Sequence, residues 1–371
     1  MNRAQVNSVA ALHIRGVMLP EGTQKDLFVV DGRITFTPPL SATTVLDGGY
    51  VIPGLVDAHA HLGLASPAPP NAAPEQHVKA SARAHLDAGV LLVREPGGPD
   101  RVSTGIGVRD GLPRIITAGR FLASMGGYFP GLAREVPDAA LPDAAAEEAQ
   151  MSGAWAKVIG DWVDEEGNAQ VNFRSAILGE AVQRVHALGA RLAIHVTSSE
   201  AIDAAIEAGV DSIEHAIGLR DHHLATMAAR GVVLVPTLII AGMLASNPQI
   251  MAEMGWGPAR VKVAAAACEQ HPEMIRRAVE AGVVVLAGTD AGMGPHGMIR
   301  EEIRNLLNAG VPQEKALAAG SWEARRYLGL PGLEEGAPAD IVAFTDDPRR
   351  HVEVLARPSL RILDGHLIPT R

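Results

Sequence analysis

The chain has 371 residues, 47% of them hydrophobic and only 4% aromatic, so the core it builds must be aliphatic. Its formal net charge is -10, with both signs interspersed and no Lys/Arg-rich block, which argues against a nucleic-acid or anionic-membrane surface and favours small-molecule chemistry. One cysteine, Cys268, excludes an intramolecular disulfide and fits a reducing cytoplasm.

Residues 1–18 lack a compact apolar run behind a basic start, so no secretory signal is expected. Asp26 to Phe36 reads as a hairpin around Asp31-Gly32. From about residue 51 to 325, short β-branched runs alternate with longer helical patterns, the rhythm of βαβ units. Eight strands are expected, at 51–56, 90–94, 114–117, 155–159, 191–195, 211–214, 232–236 and 283–287. Gly89, Gly189, Gly209 and Gly282 each stand between a helical pattern and a strand, where a left-handed residue ends a helix. The apolar stretch 231–245 is broken by Pro236 and Thr237 and is too short to span a membrane, so it reads as a buried strand entering a loop. Ala339 to Phe344 and Leu360 to Leu367 read as further strands.

The expected fold class is therefore α/β, a (β/α)8 TIM barrel over residues 51–329. A small β-sandwich domain is expected from residues 1–50 and 330–371 together, although loose terminal extensions would also produce such flanks.

In such a barrel the reactive side chains project from the C-terminal strand ends. His59 and His61 are two positions apart, so on a strand both imidazoles face one side and can share a cation, or they merely follow a core strand. Further strand ends supply Lys157, His195, His215 and Asp290. His195 and His215 are 20 residues apart with one helix between them, which puts them on adjacent strands. A lysine is a poor cation ligand unless neutral or converted by CO2 to a carbamate, and apolar Ala156 and Val158 around Lys157 favour the neutral amine.

The stretches Pro53-Gly54-Leu55-Val56-Asp57-Ala58-His59-Ala60-His61, Gly288-Thr289-Asp290-Ala291-Gly292 and Gly336-Ala337-Pro338-Ala339-Asp340-Ile341-Val342 resemble the amidohydrolase superfamily over nearly the whole chain. The resemblance is to binuclear members with a carboxylated lysine, in the branch of imidazolonepropionase-like proteins and amidohydrolase-type Xaa-Pro dipeptidases. It implies two divalent ions, zinc in the first instance. His59, His61 and Asp290 would hold one, His195 and His215 the other, and carboxylated Lys157 and a hydroxide would bridge them. Asp290 would act as general base and then general acid.

The implied activity is cleavage of an amide-type C–N bond in a small substrate such as a dipeptide, an Xaa-Pro dipeptide or an N-acyl amino acid. A mononuclear cyclic-amide hydrolase and a binuclear lactonase or phosphotriesterase are the enzymatic alternatives, and a non-catalytic scaffold would usually lose ligands. The branch commonly has histidine where this chain has Tyr128, which makes Tyr128 a candidate substrate contact or a packing residue. His296, six residues beyond Asp290, is a second candidate contact or an exposed loop residue. Residues 239–256, with Met243, Met251, Met254 and Trp256, read as an apolar lid, as ordinary packing or as a subunit contact. Arg94 and Glu95 are expected to organise the barrel mouth rather than bind metal. A small-molecule substrate is the expected partner, and a homo-oligomer is open.

Overall fold

Asp31 and Gly32 reverse the chain between Thr23–Val30 and Arg33–Thr35 with φ of 49° and 77°, the left-handed pair that a two-residue hairpin needs. Asp364 and Gly365 repeat the device between Leu360–Leu363 and His366–Leu367. In the computed structural model, which describes residues 11–369, both hairpins belong to one sheet of seven strands. Thr43–Pro53 lies inside that sheet, parallel to Leu12–Met18 and antiparallel to Ile341–Phe344. The two flanks thus pair with each other, in one continuous hydrogen-bonded sheet rather than two. Residues 1–10, 370 and 371 of the expected terminal unit lie outside the described residues. An aliphatic cluster including Ile14, Leu27, Val51, Ile341 and Ile362 fills one side of the sheet.

Six strands form a second, wholly parallel sheet in the order Val233–Val235, Ser212–His215, Arg191–Val196, Trp155–Ile159, Phe121–Ala123 and Arg134–Glu135. Leu55–Asp57, Val90–Glu95 and Arg114–Thr117 form a third, also parallel. Two strand expectations are corrected. Strand 51–56 is broken at Gly54, where a Cβ would meet the Leu91 side chain at 2.6 Å. Its first part joins the terminal sheet and its second the three-stranded sheet.

The expected third strand stands at its bounds, Arg114–Thr117, and after a turn at Gly119 against Glu148 the chain adds a strand that was not expected, Phe121–Ala123. Arg114–Thr117 pairs with Val90–Glu95, and Phe121–Ala123 with Trp155–Ile159. Residues 283–287 form only an isolated bridge at Val285. They nevertheless join the sheets, since the Leu286 amide donates to the Leu234 carbonyl and the Ala58 amide to the Ala287 carbonyl, both at 2.9 Å.

Gly89, Gly189, Gly209 and Gly282 all have φ between 71° and 88°, as helix ends before a strand require. Helix Ser175–Ala187 buries Leu178, Ala181, Val182 and Val185, one face at helical spacing. The expected loop after residue 236 is corrected, for it holds two helices, Leu238–Ser246 and Gln249–Glu253. Cys268 is buried in the following helix, Pro258–Glu280. Among the described residues no helix is long and apolar enough to cross a membrane.

Candidate metal centre

His59 and His61 leave the strand end with both Nε2 atoms aimed at one point, 3.1 Å apart. Asp290 Oδ1 comes within 3.3 Å of the first and 3.2 Å of the second. Ligands each about 2.0–2.1 Å from one tetrahedral zinc stand roughly 3.3 Å from one another, so the three atoms fit a shared cation. Gly288 permits this approach, since a Cβ there would meet His59 Cβ at 2.7 Å.

The tautomers are fixed from behind. His61 Nδ1 is 2.8 Å from the Gly97 carbonyl, which only accepts, so Nδ1 carries the proton and Nε2 keeps its lone pair. His59 Nδ1 donates to Glu214 Oε2 at 2.6 Å to the same effect. Gly97, at φ 97°, is itself required, because a Cβ would come within 3.0 Å of the Phe121 ring and 3.3 Å of Lys157 Cβ.

His215 adjoins this trio: its ring centroid is 4.9 Å from that of His59, and ligand atoms of His59, His215 and Asp290 lie within 4.8 Å of one another. His195 follows, its centroid 4.6 Å from that of His215, and its buried Nε2 has no hydrogen-bond partner. An orphaned nitrogen beside His215 suits a second cation. Lys157 is 1% exposed and lines the same cavity. Burial lowers its ammonium to about 8, with Glu214 opposing and Arg94 assisting. Neutral amine is thus accessible near physiological pH, as carbamate formation requires.

Of the six expected side chains, His61, Lys157, His195, His215 and Asp290 therefore line one cavity, and His59 is buried directly behind His61 and Asp290. Burial drives His215 down to about 3, and burial together with His215 drives His195 well below its ordinary range, so both rings are neutral. Against burial, which would raise it, His59 and His61 hold the Asp290 carboxyl well below its usual range. Backbone strain collects at the same place. His215, Ala216, Thr237 and Asp290 all have φ between 47° and 66°, in the left-handed region that costs such residues roughly 1–3 kcal/mol each.

The sequence did not single out Glu214, which ties the site together. Its carboxylate accepts from Arg94 Nη2 at 2.6 and 2.7 Å, from Ser212 Oγ at 2.5 Å and from His59. Arg94 also donates from Nε to the Ala58 carbonyl, and so organises the strand ends. Ser212 and Glu214, two apart on one strand face, were the legible hint. Thr237 Oγ1 meets His215 Nδ1 at 2.9 Å.

Tyr128 lines the cavity with its ring 5.8 Å from His195. His296 is not among the described lining residues. It turns away, with Nε2 2.9 Å from the Leu64 carbonyl and Nδ1 3.2 Å from His85. Helices 238–246 and 249–253 and their flanks supply Ile240, Leu244, Met254 and Trp256 to the wall, so the expected apolar segment does face the cavity.

Another group, Asp203, His222 and His223, has ligand-like spacing but the wrong tautomer. His223 Nδ1 accepts the Arg220 amide at 2.9 Å, so a neutral ring must carry its proton on Nε2, where a ligand needs a lone pair.

Glu302 is fully buried and caps helix Leu238–Ser246, accepting the Leu238 and Ile239 amides at 2.8 and 2.9 Å. Burial raises its carboxyl to about 8. The folded chain then holds a proton that the unfolded chain releases in the ordinary carboxylate range. The resulting stability is complete below that range and lost as pH rises through 8. Glu302→Gln cannot titrate, so wild type should lose ground to it between pH 5 and 8, by the order of 4 kcal/mol in urea titrations. Parallel pH curves for the two proteins would refute this.

The geometry gathers candidate cation ligands at and beyond the ends of parallel strands. The chain belongs to the amidohydrolase family, whose model matches residues 50–367. An uncharacterised protein of Mycobacterium tuberculosis is 41% identical over 357 residues, 95% of each chain. Ochratoxinase of Aspergillus niger is 29% identical over 171 residues, 44% of this chain and 34% of that one. A Xaa-Pro dipeptidase solved with methionine in its active site shares the fold, with TM-score 0.81 and 23% identity over 97% of this chain and 100% of that one. These similarities support a hydrolase.

Proposed function

We propose that this chain is a binuclear metal-dependent amidohydrolase that cleaves an amide-type C–N bond of a small substrate, with dipeptides, Xaa-Pro dipeptides and N-acyl amino acids as the candidates. The observation that carries the reading is the meeting of His59 Nε2, His61 Nε2 and Asp290 Oδ1 at ligand-to-ligand distances, beside the unpartnered His195 Nε2. His59, His61 and Asp290 would hold one ion, His195 and His215 the other, and carboxylated Lys157 would join them. When bound, two divalent ions, zinc in our reading, polarise the scissile carbonyl and lower the pKa of water from 15.7 towards about 7.

The chain's own residues do the rest. Asp290 takes a proton at its carboxylate from the attacking water and delivers it to the leaving nitrogen as the C–N bond breaks. Glu214 and the Gly97 carbonyl keep His59 and His61 in the tautomers that leave Nε2 free. The apolar wall excludes bulk water. In this reading residues 51–329 are the catalytic (β/α)8 barrel, with residues 283–291 as its eighth stave. Residues 1–50 and 330–371 are the accompanying β unit, and a reducing cytoplasm suits the single buried thiol.

The test is a screen of dipeptides, N-acyl amino acids and lactones with zinc-loaded protein prepared in bicarbonate. Amide hydrolysis should vanish with a chelator and return with zinc, at two ions per chain. Lys157→Ala should lose both turnover and the second ion. Full activity in Lys157→Ala would instead favour a mononuclear cyclic-amide hydrolase, and active protein with no metal would overturn the proposal.

A further inference from the structure

The cavity beside the cluster holds about 800 Å³ of non-atom space, part of it open to solvent, and its wall is unevenly built. One side is aromatic. The Trp162 ring lies 4.6 Å from that of Phe129 and 4.9 Å from that of Tyr128, and the Tyr128 ring lies 5.8 Å from that of Phe121. The other side is aliphatic, with Ile217, Ile240 and Leu244. In a chain only 4% aromatic, this concentration of rings is local.

The charge inventory is narrower still. Among the described lining residues the only carboxylate is Asp290, and it already faces His59 and His61. The cavity's one lysine and its three imidazoles, Lys157, His61, His195 and His215, all belong to the cluster. Arg260 stands behind the wall, its guanidinium carbon 4.1 Å above the Trp256 ring and its Nη2 donating to Thr197. A cationic group brought into this space finds no free anion and exchanges water for an apolar wall, which is costly.

We infer that the cavity takes an amide whose acyl half is an uncharged aromatic group, so that N-aroyl and N-arylacetyl amides are substrates and α-amino-acyl dipeptides are not. This rests on the amide-hydrolase reading and narrows it. In a dipeptide the α-ammonium sits one carbon from the scissile carbonyl, so placing that carbonyl at the cluster brings the ammonium into this anion-poor space. A planar uncharged acyl group has rings to pack against, in the offset and edge-on geometries that aromatic pairs favour.

The test compares phenylacetyl-phenylalanine with phenylglycyl-phenylalanine, which differ only by an α-ammonium in place of a hydrogen. On the zinc-loaded protein at pH 7, kcat/KM for the phenylacetyl compound should be at least about tenfold higher. The gap should close towards pH 9, because an α-amine loses its proton near 7.7–8.0. Both substrates meet the same enzyme, so the enzyme's own titrations cancel in the ratio.

A second measurement does not depend on turnover. Phenylacetamide should quench the fluorescence of Trp162 and Trp256 at tenfold lower concentration than 2-phenylglycinamide, with or without zinc. Equal or inverted preference in either assay, or no quenching by phenylacetamide, overturns the inference. Hydrolysis with the inverted preference would leave the hydrolase reading standing and this one fallen. The expected binding preference without hydrolysis of either compound would do the reverse.

Discussion

Turnover by Asp290→Asn is expected to fall by roughly 10²- to 10⁴-fold, the range a positioned proton carrier contributes, with steady-state release of the amine product as the measurement. Asparagine has the same shape and tolerates the left-handed φ of 52° that Asp290 adopts, so the fold should survive. What is lost is the anion. Oδ1 would still lie near His59 Nε2 and His61 Nε2, but it could neither hold a cation as strongly nor accept the proton of water. A chelated preparation should still unfold cooperatively but at a lower temperature than wild type, because the ionised carboxyl that His59 and His61 favour is lost. Wild-type turnover in Asp290→Asn would remove this residue from the chemistry.

The second large effect is on stability. Arg94 is 1% exposed and serves four acceptors at once, in the Ala58 carbonyl, Ser212 Oγ and both oxygens of Glu214. Its guanidinium carbon also lies 4.9 Å from the Trp155 ring. Arg94→Met would strip the buried Glu214 carboxylate of its paired guanidinium, a loss that typically costs about 3–5 kcal/mol. The urea midpoint should drop accordingly. Adding Glu214→Gln to that variant should recover part of the loss, since the pair acts as a unit. Arg94→Lys should keep a charge but only part of the stability, because one ammonium cannot reproduce a planar fork that reaches Ala58, Ser212 and Glu214 at once. Additive losses in the double variant would mean that the two side chains stabilise the fold independently.

The sequence made the clustered candidate ligands legible for a simple reason. Strand alternation and strand-end placement are local properties, and His59, His61, Lys157, His195 and His215 obey them. Asp290 follows a segment whose strand character is weak, yet Gly288 marks the close approach to His59 that brings it in. Glu214 was harder to assign. Its role depends on Arg94, more than a hundred positions away, and no spacing rule connects them. The additional strand Phe121–Ala123 was missed for a similar reason, since the turn at Gly119 that starts it is set by Glu148 on a helix later in the chain.

Residues 238–246, Leu-Ile-Ile-Ala-Gly-Met-Leu-Ala-Ser, carry almost no polar face, so no helical period could be read from them. The helix is stabilised by packing against Met251, Trp256 and Cys268. His296 shows the limit of proximity along the chain. Six residues from Asp290, it is directed by the turn through Gly292 to the back of the rim, where the Leu64 carbonyl and His85 receive it.

Strand Thr43–Pro53 continues through Gly54 directly into Leu55–Asp57 and on to His59 and His61, while its neighbour in the terminal sheet is Ile341–Phe344. A polypeptide leaving the ribosome therefore exposes its first two imidazoles long before the strand that braces them has been made. Contacts of such large sequence separation form late and slowly. In the proposed reading, ion capture would therefore follow synthesis of the later strands, and loss of those strands would loosen the grip on cations at residues they never touch.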